Sequence, residues 1–68
     1  MNLSEVVKLD LENKRITQTD LSKRLGTSRQ HVSNSLKRWS DGDIPNIKTL
    51  KKWSKAIGVD YKKFLPYL

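Results

Sequence analysis

A chain of 68 residues has room for one domain, residues 1–68, with a modest core, and this argues against an enzyme built around a deep pocket. With no cysteine and a single histidine, neither disulfides nor a metal site nor any other cofactor is expected. No apolar run approaches the roughly 20 residues that span a bilayer and residues 1–5 lack the regions of a signal peptide, so the expected setting is the cytoplasm, while the net charge of +7 suits a polyanionic partner without saying which.

Leu3, Val6, Val7 and Leu11 recur at helical spacing behind Ser4, a candidate cap, and predict a first helix over residues 3–13 with Leu9 outside its apolar stripe. Asn13-Lys14-Arg15 interrupts the period. Thr17-Gln18-Thr19-Asp20 then has the form of a capping box, which opens a second helix over 18–25 with Leu21 and Leu25 inward. Gly26 follows where a helix end needs a left-handed residue, and Ser28 is a good N-cap for a third helix from Arg29 to about Ser40. So short a turn between two helices is the spacing of a helix-turn-helix. Val32, Leu36 and Trp39 mark the third helix's buried stripe, with Trp39 expected to pack under the loop of residues 41–44.

Asp41-Gly42-Asp43 ends that helix. Pro45 suits the first turn of a fourth, in which Ile47, Leu50, Trp53, Ser54 and Ile57 form the inward stripe up to the C-capping Gly58. Asp60 can cap a short fifth helix over 61–65, whose Phe64 and Leu65 close the core, and Pro66-Tyr67-Leu68 leaves no room for another element. No strand alternation or internal repeat occurs, so the expected fold is all-α, a compact five-helix domain.

Charge is unevenly spread along these elements. Residues 1–13 carry a net −2, residues 14–38 a net +6 and residues 39–68 a net +3. The helix-turn-helix is therefore the electropositive part, and neutralising phosphates there releases counterions and makes binding salt-dependent.

The pattern Gln18-x-x-Leu21-Ser22-x-x-Leu25-Gly26-Thr27-Ser28-x-x-x-Val32-Ser33, followed by Pro45, Leu50 and Ile57-Gly58-Val59, resembles the phage Cro and lambda-repressor type of helix-turn-helix, also called the xenobiotic-response-element type. The resemblance implies a sequence-specific DNA-binding domain, usually a transcriptional regulator that binds as a dimer. It also implies that Gln18 bonds a phosphate from the start of the second helix, where free N–H groups favour an anion. The stretch from Ser33 to Pro45 is longer than in most relatives, which implies nearly one more turn on the third helix.

The first turns of a helix laid in a major groove reach base edges. Ser28, Arg29, Gln30, Ser33 and Asn34 are the candidates for those contacts. Arg29 has the fork that matches guanine O6 and N7, while Gln30 and Asn34 each offer the donor and acceptor that match adenine. Lys14, Arg15, Gln18, His31, Lys37, Arg38 and Lys48 are candidates for phosphate contacts, with packing beside the turn as the alternative for His31. Lys51, Lys52, Lys55, Lys62 and Lys63 are read as solvated charges acting at long range.

Three functions stay open at this point. A Cro-like or repressor-like regulator binds double-stranded DNA as a weak, DNA-assisted homodimer through exposed parts of Phe64, Leu65, Tyr67 and Leu68. An accessory or architectural factor of excisionase type bends DNA and needs no palindrome. An antitoxin-like or inhibitor-like module binds protein and tolerates loss of Arg29. No small-molecule ligand is evident, no membrane role is expected, and no relay of serine, histidine and acid or glycine-rich phosphate loop supports an enzyme.

Overall fold

A computed structural model describes all residues, 1–68. The chain forms α1 (Leu3–Asn13), α2 (Gln18–Leu25), α3 (Arg29–Ser40), α4 (Ile47–Ile57) and a closing 3₁₀ helix (Tyr61–Tyr67), with no strand. α3 packs on α1 and α2, α4 packs on α2 and the 3₁₀ helix, and the 3₁₀ helix returns to α1. Every helix gives apolar residues to one buried cluster, from Leu3, Val7 and Leu11 of α1 to Phe64 of the 3₁₀ helix. The radius of gyration is 10.7 Å, against about 11 Å for a compact chain of this length. No helix is long and apolar enough to cross a membrane.

Local chemistry sets most boundaries where the sequence places them. Thr17 Oγ1 accepts from the Asp20 amide at 3.0 Å and the Asp20 carboxylate accepts from the Thr17 amide at 3.2 Å, so both halves of the capping box form. Gly26 closes α2 with φ 71°, and Gly58 closes α4 with φ 91°. Arg15 also adopts a positive φ, 55°, just past α1, where the Ile16 amide donates to the Leu11 carbonyl at 2.8 Å. A side chain at such a position carries strain that glycine avoids.

Six expectations need correction. Asn2, not Ser4, caps α1: its Oδ1 accepts from the Glu5 amide at 2.9 Å, while Ser4 lies inside the helix and is buried. Pro45 stands before α4, because Asn46 is the cap, with Oδ1 accepting from the Thr49 amide at 2.8 Å. Ile47, then the first residue of α4, falls at the edge of the buried stripe and is 44% exposed. The last helix runs on through Pro66 to Tyr67. Its three-residue turn puts Tyr61, Phe64 and Tyr67 on one face, so Phe64 is fully buried and unavailable to a partner, while Leu65 turns away and is 40% exposed.

Trp39 and Trp53 lie inside, with ring centroids 4.5 Å apart and planes at 59°. Such tilted pairs add about 0.5–1.5 kcal/mol beyond area burial. Trp39 also lines a shallow cleft with Ile44 and Pro45, in keeping with its expected place under the loop.

Candidate nucleic-acid interface

Three residues, Gly26 to Ser28, separate α2 from α3. The left-handed Gly26 lets the chain reverse at once, and the Thr27 amide donates to the Ser22 carbonyl at 2.9 Å to close the turn. Ser28 Oγ accepts from the His31 amide at 3.1 Å and so starts α3. Its hydroxyl proton remains able to reach a base or phosphate.

α3 buries Val32, Ser35, Leu36 and Trp39. The helical period turns Gln30, Asn34 and Lys37 to the opposite side, with Arg29 and Ser33 beside them, and all five are exposed. No acidic residue occurs in α3. The face is thus a set of directional hydrogen-bonding groups in a positive field. The two amides are not separate, since Gln30 Nε2 donates to Asn34 Oδ1 at 3.0 Å one turn along.

The candidate phosphate contacts are more dispersed. Gln18 is the first residue of α2, whose capping box satisfies the Asp20 amide and leaves those of Gln18 and Thr19 without an intrahelical acceptor. The bonds from the Thr17 backbone and hydroxyl, helped by Lys23 and Arg24, hold the Asp20 carboxyl below the usual aspartate range, so the cap is ionised at neutral pH. Lys37 is exposed near the end of α3, and Lys48 in the first turn of α4. Arg38 Nε stands 3.7 Å from Asp43 Oδ2 with both side chains exposed, a weak pair that a phosphate can displace. His31 lines a shallow cleft with Gly26, Thr27 and Thr49, beside the turn.

Lys14 and Arg15 fall elsewhere, just beyond α1. Lys14 Nζ lies 3.6 Å from where a Cβ at Gly58 would stand, over the C-terminal end of α4. Arg24 Nη1 donates to the Ala56 carbonyl at 3.0 Å near the same end. Two cations thus meet the negative pole of α4. The role of Arg24 was missed in the sequence, because it depends on a residue 32 positions away.

α4 buries Leu50, Trp53, Ser54 and Ile57. Its outward line is Lys48, Lys52 and Lys55, with Arg24 beside the last two. Lys51 turns toward the 3₁₀ helix, 5.0 Å from the Tyr61 ring centroid.

A family model described as helix-turn-helix matches residues 7–64, from the middle of α1 to Phe64 in the closing 3₁₀ helix. The chain belongs to the Cro/C1-type helix-turn-helix family. The family is a DNA-binding one rather than an enzyme family, and the five helices agree with the lambda-repressor-like fold. Neither a curated protein nor a solved structure matches the chain. In this helix-turn-helix α2 and the Gly26 turn hold α3, whose polar side is exposed.

Proposed function

We propose that the protein is a sequence-specific transcriptional regulator that reads double-stranded DNA by laying α3 in the major groove. The supporting observation is the outward face of α3, where Arg29, Gln30, Ser33 and Asn34 stand exposed in the first turns of a helix whose other side is core. A guanidinium fork and two amides are the groups that tell base edges apart. Ser28 joins them from the cap. Gln18, His31, Lys37, Arg38 and Lys48 then hold the backbone on either side, and Lys14 and Arg15 add charge from the end of α1. This work belongs in the cytoplasm, on nucleoid DNA.

A second copy completes the reading. Two helices placed about one DNA turn apart require a near-palindromic site, and a two-fold contact uses the same patch on both copies. Leu65, Tyr67 and Leu68, each partly exposed at the end of the closing helix, are the surface for it. So small a patch gives a dimer that forms mainly on DNA.

Selection of bound duplexes from a random pool tests the reading. A two-fold consensus supports the regulator. A one-sided or bend-dependent site would instead support an accessory architectural factor, a reading that the lysine line of α4 favours. A pool without enrichment would point to a protein-binding module.

A further inference from the structure

We infer that the outward side of α4 is a second nucleic-acid site, which holds a second DNA duplex by its phosphates while α3 occupies the first. The inference goes beyond the reading proposed for α3 and rests on it only for the first duplex. Its basis is a ridge of unpaired cations, Arg24, Lys52 and Lys55, which line one shallow cleft with Ala56.

All three cations are exposed, and neither ion pair of the chain, Arg38 with Asp43 or Lys63 with Asp10, uses them. α4 contains no acid. Asp20, one turn before Arg24, is engaged by the Thr17 amide. Arg24 is anchored rather than neutralised, since Nη1 donates to the Ala56 carbonyl at 3.0 Å and the guanidinium keeps its other N–H donors. Cations gathered in this way repel one another, and a polyanion relieves that repulsion.

The ridge stands apart from the reading face. α3 and α4 turn their buried sides to each other where Trp39 meets Trp53, so their outward sides point different ways. Lys48, assigned to the first duplex, lies in the first turn of α4, and Lys52 and Lys55 follow about 6 and 10 Å further along its axis. Bringing the first duplex round to that end requires a sharp bend, which costs elastic energy. A separate duplex reaches it without one.

The composition of the ridge favours a phosphate backbone over a protein surface. Ammonium groups on flexible stems suit a row of phosphates rather than one directed contact. Protein interfaces are depleted of lysine and enriched in aromatic side chains, and none of the large apolar residues that the chain leaves exposed belongs to the ridge.

The test is capture of a second duplex. A duplex carrying the selected site is tethered and saturated with the full chain, and a labelled duplex lacking the site is titrated in at several salt concentrations. Three phosphate contacts predict that affinity for the labelled duplex falls roughly fortyfold between about 50 and 200 mM salt. Lys52→Ala with Lys55→Ala leaves one contact, so capture should be weaker and its fall only about three- to fourfold. Affinity for the tethered site should drop by less than about fivefold. Alanine suits an exposed helix position, so folding should survive, and thermal unfolding checks it. A wild-type chain that occupies the tethered site but captures nothing would overturn the second site and leave reading by α3 intact. Capture that the lysine changes leave unaltered would also overturn it, by assigning the bridge to contacts between two copies. A chain that prefers no site and captures no second duplex would overturn both.

Discussion

α3 buries Val32, Leu36 and Trp39, α4 buries Leu50, Trp53 and Ile57, and the two helices meet where the tryptophan rings touch. Above those similar buried sides the exposed ones diverge. α3 shows Arg29, Gln30, Ser33, Asn34 and Lys37, whereas α4 shows Lys48, Lys52 and Lys55. An ammonium is a hydrated point charge with rotating donors, while a guanidinium or amide has a fixed plane and direction. A lysine can single out guanine O6 and N7, but a guanidinium together with amides covers both guanine and adenine edges. On the proposed reading, the same helical architecture thus yields one face suited to reading sequence and another suited to holding or attracting the phosphate backbone.

The largest test removes what the faces share. Trp53→Ala should cost about 3–5 kcal/mol, comparable with the whole stability of so small a domain at roughly 0.05–0.15 kcal/mol per residue. Circular dichroism during heating should show a chain largely unfolded near ambient temperature. Retained cooperative unfolding would mean that the two faces do not depend on the Trp39–Trp53 contact.

The next test separates the faces. Arg29→Ala should weaken the selected duplex by about 1–3 kcal/mol and relax one base position. Lys52→Ala with Lys55→Ala should weaken all duplexes alike, by less than about 1 kcal/mol and mainly through slower association at low salt. Binding titrations over several salt concentrations measure both. Equal losses on selected and random duplexes for Arg29→Ala would erase the distinction between α3 and α4.

Smaller effects probe how α2 and α3 are held. Arg15→Gly relieves a positive φ and should stabilise the chain by about 0.5–1 kcal/mol in denaturant titrations. A loss of stability would show that the Arg15 side chain does more for the fold than its backbone strain takes away. Asp20 has its pKa lowered by the bonds from Thr17. The stability it contributes is complete above the ordinary aspartate value and fades as pH falls through the lowered one. Asp20→Asn should flatten that acid-side slope, and an unchanged slope would assign the acid response to other carboxylates.

The caps around the helix-turn-helix were legible because they are local. Thr17 with Asp20, Gly26, Ser28 and Gly58 each act within a few residues, and each has its expected role. Asn46 was obscured by Pro45 beside it, since both residue types favour a helix start. Contacts set by packing left no local mark. Lys63 donates to Asp10 at 2.8 Å across 53 positions, a pairing that the place of Asp10 on the buried face of α1, beside Leu3 and Val7, does not itself announce. The α3 face was visible from helical period alone. The bond between Gln30 and Asn34 was legible only as a spacing, because rotamers decide whether two amides one turn apart join.

Amide chemical-shift mapping of the labelled chain, titrated with a selected duplex, tests most directly which face meets DNA. The account predicts the largest changes along residues 28–37, with weaker ones at the start of α2 and near Lys48. Dominant changes along Lys52 and Lys55, with Gln30 and Asn34 unmoved, would contradict it.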